Sequence, residues 1–79
     1  MKYPIYSIRD AKTGFMSPTV DMNDPAAVRN FEHALRNSAS LMNSHPNDYS
    51  LFRIGEFDTE TGAVTACLPA NIADASSVL

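Results

Sequence analysis

Apolar residues near the start of the chain alternate in a way that predicts a β-hairpin. Tyr3 and Ile5 fall on one face of an extended segment, and Tyr6 and Ile8 fall on the other. The segment Asp10–Gly14 has the composition of a tight turn, because aspartate can accept hydrogen bonds from backbone amides ahead of it and glycine tolerates positive φ. The return strand that follows contains a proline, so we expect it at a sheet edge or cut short.

The next periodic segment predicts one amphipathic helix. Asn23 or Asp24 can cap its start, and a proline stands at the first helical position. Phe31 and Leu35 then belong to an apolar stripe at helical spacing. We expect the helix to end near residues 37–39, before a loop rich in asparagine, serine and proline.

The strongest strand signal covers Tyr49–Phe57. Its parity puts Leu51 and Phe57 on one face and Phe52 and Ile54 on the other, so both faces carry large apolar groups. This pattern is typical of a central strand that is covered on both sides. We expect the helix to cover one side and a second subunit to cover the other.

A second Asp-x-x-Thr-Gly turn at residues 58–62 repeats the pattern of the first, and residues 63–68 pair back. The sequence therefore predicts an α+β fold of order ββαββ, in which a four-stranded, mostly antiparallel sheet carries one helix packed on one face. We place the domain at residues 1–69. Residues 70–79 lack a clear periodicity, and we expect them to form a flexible or partner-docked C-terminal tail.

Length and charge narrow the class of protein. A chain of 79 residues forms one domain with a small core, and dimerisation is the expected additional source of stability. The formal net charge of −3 argues against a protein that coats nucleic acid nonspecifically, although it leaves room for a local basic patch. A single cysteine and a strand-like N-terminal segment favour the cytoplasm, and no apolar run is long enough to cross a membrane.

Residues capable of catalysis or metal binding are few and unpaired. His33, His45 and Cys67 are the only base, nucleophile or soft-metal candidates, and structural zinc needs about four ligands in short paired spacings. The sequence also lacks a glycine-rich phosphate loop and a recognisable nucleophile motif. We therefore expect a protein that is not an enzyme, with no cofactor and no metal.

Basic and aromatic residues indicate a binding function in place of catalysis. Arg29, His33 and Arg36 share one face of the predicted helix, and other cations lie on strands or turns beside aromatic side chains. Aromatic residues interleaved with arginine and lysine on a sheet can hold single-stranded nucleic acid by base stacking and phosphate contacts. Two alternatives remain open: Glu32 can pair with Arg36, and the aromatics can belong to the core or to a dimer interface. The candidate nucleic-acid-binding residues are Arg9, Lys12, Arg29, Arg36, Arg53, Tyr3 and Tyr6.

Two segments carry a resemblance to a known family. They read RDAKTGF at residues 9–15 and DYSLFRIGEFDTETG at residues 48–62, and they occur in this order and at this separation. The chain resembles the small nonstructural protein of microviruses, the gokushovirus group of single-stranded-DNA phages, over about residues 3–62. The resemblance implies a protein made in the infected bacterium and absent from the mature virion.

The resemblance also implies a part in genome replication, through binding single-stranded DNA or through the switch to single-strand synthesis and packaging. It transfers no catalytic residue. The alternative is an acidic adaptor that docks on a phage or host replication or assembly factor, which the net charge and the strand with two apolar faces favour. A third hypothesis is that the protein is a component of the capsid or of its scaffold. We expect a homodimer, with single-stranded DNA or a replication protein as partner, in the host cytoplasm.

Overall fold

The computed structural model describes residues 1–79 as an antiparallel sheet with short helices packed on one of its faces. The strands are β1 (Lys2–Asp10), β2 (Gly14–Phe15), β3 (Thr19–Val20), β4 (Tyr49–Asp58) and β5 (Val64–Asp74). The helices are α1 (Asp24–Arg36), α2 (Leu41–Ser44) and α3 (Ala75–Val78). The strand order is β2-β1-β4-β5, and β3 pairs with the same edge of β1 as β2 does. The predicted α+β class with an antiparallel sheet is confirmed.

The two Asp-x-x-Thr-Gly segments form matching turns. The Asp10 carboxylate accepts a hydrogen bond from the backbone N–H of Lys12 at 2.8 Å, and Gly14 has a φ of 102°. The Asp58 carboxylate accepts an equivalent bond at 2.9 Å, and Gly62 has a φ of 74°. These backbone hydrogen bonds are the main reason why the pKa of each aspartate lies below its usual value.

The first return strand is broken in two. β2 and β3 have two residues each, and Pro18 lies in the gap between them. Proline has no N–H to donate to a strand ladder, so the pairing with β1 lapses and then resumes. The predicted edge position is confirmed, and the sheet has five strands where the sequence predicted four.

Helix α1 begins where the sequence predicts. The Asn23 side chain accepts a hydrogen bond from the Ala26 N–H at 2.9 Å and so caps the helix. The helix ends at Arg36, one residue before the expected range. The following turn is a separate helix, α2, capped by Ser40, whose hydroxyl accepts from the Met42 N–H at 3.0 Å.

The core lies between α1 and one half of the sheet. Ala27, Phe31 and Leu35 of α1 are buried, and they belong to one cluster with Tyr6 and Leu51 from the two central strands. Each fully buried large side chain contributes roughly 1.5–3 kcal/mol to folding. The other members of the cluster are Met42, Tyr49, Ala73 and Ala75.

A bulge in β4 changes which face its residues occupy. Tyr6 lies opposite Arg53 and Ile5 lies opposite Gly55, so Ile54 is an extra residue in β4. The alternation therefore shifts, and Phe57 lies on the sheet face opposite the one that carries Leu51. The predicted shared face of Leu51 and Phe57 is wrong, because strict alternation ignores the inserted residue.

The C-terminal segment is placed differently from the expectation. β5 continues through the predicted boundary to Asp74, and α3 follows without a break. Ala73 and Ala75 are buried in the core cluster, which connects this end of the chain to the domain. Small alanines give little periodic signal in a sequence, which explains why residues 70–79 resembled a flexible or partner-docked tail.

Gly55 allows the close approach of β4 and β5. A Cβ atom at this position would lie 2.6 Å from the backbone oxygen of Thr65. We predict that Gly55→Ala lowers the free energy of unfolding by about 1–3 kcal/mol, because a strand must shift to relieve the overlap. Urea unfolding followed by circular dichroism measures the change.

The control for this prediction is Thr65→Ala. The overlap involves the Thr65 backbone and not its side chain, so adding this substitution does not rescue Gly55→Ala. If Gly55→Ala is as stable as the original chain, or if Thr65→Ala restores its stability, the close contact assigned between the β4 and β5 backbones is contradicted.

Candidate nucleic-acid interface

One face of the sheet carries no helix. Alternation along β1 turns Tyr6 and Ile8 toward α1 and turns Tyr3, Ile5, Ser7 and Arg9 to the opposite side. We call this opposite side the open face. Residues paired with these positions share the open face, and they include Phe15, Ser50, Phe52, Phe57 and Val20.

Two phenylalanines form an aromatic pair on the open face. The ring centroids of Phe15 and Phe52 are 5.5 Å apart and the ring planes meet at 76°, an edge-to-face arrangement. The Ser7 hydroxyl donates to the Met16 carbonyl at 2.6 Å and holds the residue after Phe15 against β1. Phe15 remains 50% exposed, so the pair presents aromatic surface to solvent.

Two cations flank the aromatic pair. Arg9 is exposed and lies opposite Phe15 in the strand register, and Lys12 is exposed in the adjacent turn. Neither side chain takes part in an ion pair. We name Arg9, Lys12, Phe15 and Phe52 the aromatic platform.

An ionised carboxylate marks the other side of the platform. The Asp74 carboxylate accepts hydrogen bonds from the Asn71 amide at 3.0 Å and from the Ser50 hydroxyl at 2.8 Å. These two bonds hold the pKa of Asp74 below its usual value, so the carboxylate is negative at neutral pH. Asn71 lies opposite Phe52 and Asp74 lies opposite Ser50, so the negative group is on the β5 side.

The other predicted arginines do not lie on the open face. Arg29 and Arg36 are exposed on α1, on the side opposite its buried stripe, and Arg36 pairs with Glu32 at 3.1 Å. Arg53 lies opposite Tyr6, and its guanidinium is 3.7 Å from the Asp24 carboxylate at the start of α1. The predicted cations are therefore divided between the two sides of the molecule.

Tyr6 is a core residue. Its side chain is 0% exposed, and its hydroxyl donates a hydrogen bond to the Asp24 carboxylate. Burial, and then the bond to Asp24, raise the pKa of Tyr6 well above its ordinary value. The structure corrects the assignment of Tyr6 as a base-stacking residue, because a buried ring has no surface to offer. Tyr3 is half-buried on the open face, opposite Phe57, at the end of the sheet away from Arg9, which we call the distal end.

A groove without charged residues occupies the rest of the open face. Its volume is about 360 Å³. It lies beyond the Ile54 bulge, at the end of the sheet away from Arg9. We call it the apolar groove, and its lining residues are Ile5, Pro18, Val20, Ile54, Gly55, Phe57, Val64 and Ala66.

Phe15 and Phe52 are not among the candidate binding residues chosen from the sequence, although aromatic side chains beside the cations were part of that prediction. A local signal was present for Phe15, because it follows directly on the turn that carries Lys12. Phe52 and Leu51 are neighbours in β4, so their side chains lie on opposite faces of the sheet. Which of the two is buried can be decided only when the face covered by α1 is known.

The chain matches the profile of the family described as Phage ORF5 protein over residues 3–78. It belongs to the Phage ORF5 family. It is therefore a phage protein, which agrees with the wider group that the sequence resemblance indicated. No curated protein and no solved structure gave a significant match to this Phage ORF5 chain. Its helices are all too short or too polar to cross a membrane.

The buried phenol of Tyr6 makes stability depend on alkaline pH. Because the pKa of Tyr6 is raised in the folded protein, the unfolded chain loses this proton first, near the ordinary value of 10.0. The stabilisation is complete below that pH and is lost as the pH rises above it. We predict that Tyr6→Phe reduces the alkaline loss and costs about 1–3 kcal/mol at neutral pH, through the missing bond to Asp24.

Urea unfolding at neutral and alkaline pH measures both effects. Tyr3→Phe is the control, because it also removes one phenolic hydroxyl but lies outside the core cluster. Equal effects of the two substitutions on the alkaline loss contradict the role given to the buried phenol.

Proposed function

We propose that this phage protein binds single-stranded DNA on the aromatic platform and assists genome replication or the switch to single-strand synthesis and packaging. It acts by binding and not by catalysis. The resemblance to the small nonstructural protein of microviruses supports this assignment, and membership of the Phage ORF5 family supports the part of it that concerns a phage protein. In this proposal the protein works in the cytoplasm of the infected host and is not part of the mature virion.

The observation that carries the proposal is the aromatic pair on the face of the sheet without a helix, in which Phe15 is exposed and Phe52 is half-buried. Phe15 and Phe52 offer ring surface, and Arg9 is next to Phe15 in the strand register. Each base stacked on an aromatic side chain contributes about 1–3 kcal/mol without sequence preference. Two rings are enough for a short stretch of bases.

Charge fixes the side on which the DNA backbone runs. Arg9 and Lys12 lie on the β1–β2 side of the platform, and the Asp74 carboxylate lies on the β5 side. Phosphates are attracted to the first and repelled by the second. The backbone therefore follows β1 and its turn, and the bases point inward over Phe52.

The two cations of the platform, Arg9 and Lys12, set the expected salt dependence of binding. Two phosphate contacts give a salt dependence of about −1.4 in log K against log salt, at roughly −0.7 per contact for single strands. Affinity then falls about sevenfold between roughly 50 and 200 mM salt. This is the behaviour of a local platform and not of a basic coating protein.

A second function, as a protein adaptor, is favoured by the acidic distal end of the sheet. This end carries the carboxylates of Glu56, Asp58 and Glu60, and Lys2 is the nearby cation on a strand. Such a surface suits a basic segment of a phage or host replication or assembly factor. Partner recovery from infected cells that survives nuclease treatment supports the adaptor. Recovery abolished by nuclease supports the DNA-bound state.

The main test is the fluorescence anisotropy of a labelled single-stranded oligonucleotide, titrated at low and at higher salt. We predict that the double substitution Arg9→Ala/Lys12→Ala weakens binding and flattens the salt dependence. Phe15→Ala is expected to weaken binding by roughly 5- to 150-fold, the equivalent of one lost stacking contact of about 1–3 kcal/mol.

The matched control is Arg29→Ala/Arg36→Ala, which makes the same change in net charge on the solvent side of α1. Its affinity stays within about twofold, because exposed charges at that distance are largely screened by salt. Absence of binding at low salt overturns the proposal, and so does a control variant that loses as much affinity as Arg9→Ala/Lys12→Ala.

A further inference from the structure

We propose that the apolar groove is the interface through which two copies of this chain pair, with their open faces packed against each other at the distal end of the sheet. The homodimer expected from the sequence then has a defined surface. The inference is independent of DNA binding, because the groove and the aromatic platform occupy different ends of the open face.

The distal end of the sheet is left uncovered by the chain's own helices. No residue of the core cluster comes from the segments 2–5, 55–58 or 64–66. The molecule is elongated, with extents of 40 × 21 × 20 Å, and its radius of gyration of 12.7 Å exceeds the roughly 11.6 Å of a compact chain of this length. Its accessible surface is 5132 Å², against about 4,700 Å² for a typical monomer of its mass.

The two sides of this distal end differ in chemistry. On the α1 side, Lys2, Glu56 and Asp58 are charged. On the open face, the lining of the groove contains no charged side chain. Val64 is 68% exposed and Val20 is 49% exposed, so apolar side chains of the open face are in contact with solvent at this end.

The absence of charge in the groove favours a second copy as its occupant. In a two-fold interface the same patch meets itself, so any net charge would be repelled by its own image. A chain with a net charge of −3 pairs with itself most easily where the contact holds no charge. A nucleic acid needs cations at its binding surface, and the groove provides none.

Pairing by faces fits the structure better than pairing by edges. Arg53 lies opposite Ala70 and Gly55 lies opposite Ala66, so β5 bulges over residues 67–69. Pro69, within the bulge, has no N–H to donate. The bulge and this proline both interrupt the free edge of β5 as a template for another strand. Packed faces need about 600 Å² from each copy, roughly an eighth of the surface of the chain.

Sedimentation equilibrium at micromolar concentration tests the proposal. We expect the original chain to have twice its 8.6 kDa mass. Val64→Asp and Val20→Asp place like charges across the two-fold axis, so each is expected to raise the dissociation constant at least about tenfold. The control is Leu41→Asp on α2, which is 72% exposed, makes the same kind of change and leaves the mass at twice 8.6 kDa.

A second measurement uses the single exposed cysteine. A spin label on Cys67 reports dipolar coupling between copies, which is expected in the original chain and in Leu41→Asp and is expected to be lost in Val64→Asp. Circular dichroism confirms that the variants are folded. A monomer mass for the original chain overturns the proposal. So does a dimer that resists both valine substitutions, or one that Leu41→Asp disrupts equally.

The result of this dimer test can be distinguished from the result of the DNA titration. If Val64→Asp abolishes the dimer and still binds the oligonucleotide, the result supports this interface, whatever the role of the dimer. A dimer that forms as expected in a protein without any affinity for DNA leaves this inference standing and removes the proposed function. Capture of an unrelated protein by the groove in place of a second copy counts against it.

Discussion

The packing of one amphipathic helix against one half of a sheet organises this molecule. Phe31 and Leu35 of α1 bury themselves against Tyr6 and Leu51, and this contact decides which face of the sheet is core. A 13-residue helix is about 20 Å long, whereas the molecule extends over 40 Å. The helix can therefore cover only part of the sheet, and the rest has to be tolerated in water or covered by something else.

The uncovered face divides at the Ile54 bulge into two surfaces of different chemistry. Near the first turn it is aromatic and basic, with Phe15, Phe52 and Arg9. Beyond the bulge it is apolar and uncharged. One surface matches the stacking and phosphate contacts of a single strand, and the other matches a second copy of the chain. In these two proposals, one sheet carries two separate binding surfaces.

Local signals allowed much of the fold to be predicted, and non-local ones did not. Asn23 as a cap and the two glycine-ended turns depend on neighbouring residues, so the sequence was sufficient for them. The burial of Tyr6 and the bulge at Ile54 depend on which face meets α1 and on how β4 pairs with its neighbours. Both faces of β1 carry aromatic and aliphatic residues, so alternation alone cannot assign the covered one. The same holds for the proposed site, because Arg9 and Lys12 were among the candidates chosen from the sequence, whereas Phe15 and Phe52 were not.

The central claim is that the open face, and not the helix, is the binding surface for single-stranded DNA. The most direct measurement is a titration of the ¹⁵N-labelled protein with a short single-stranded oligonucleotide, followed by amide chemical shifts. We expect the largest changes at Arg9, Lys12, Phe15 and Phe52, with small changes along the solvent side of α1 that carries Arg29. Changes confined to α1, or a spectrum that does not respond to the oligonucleotide, contradict the account.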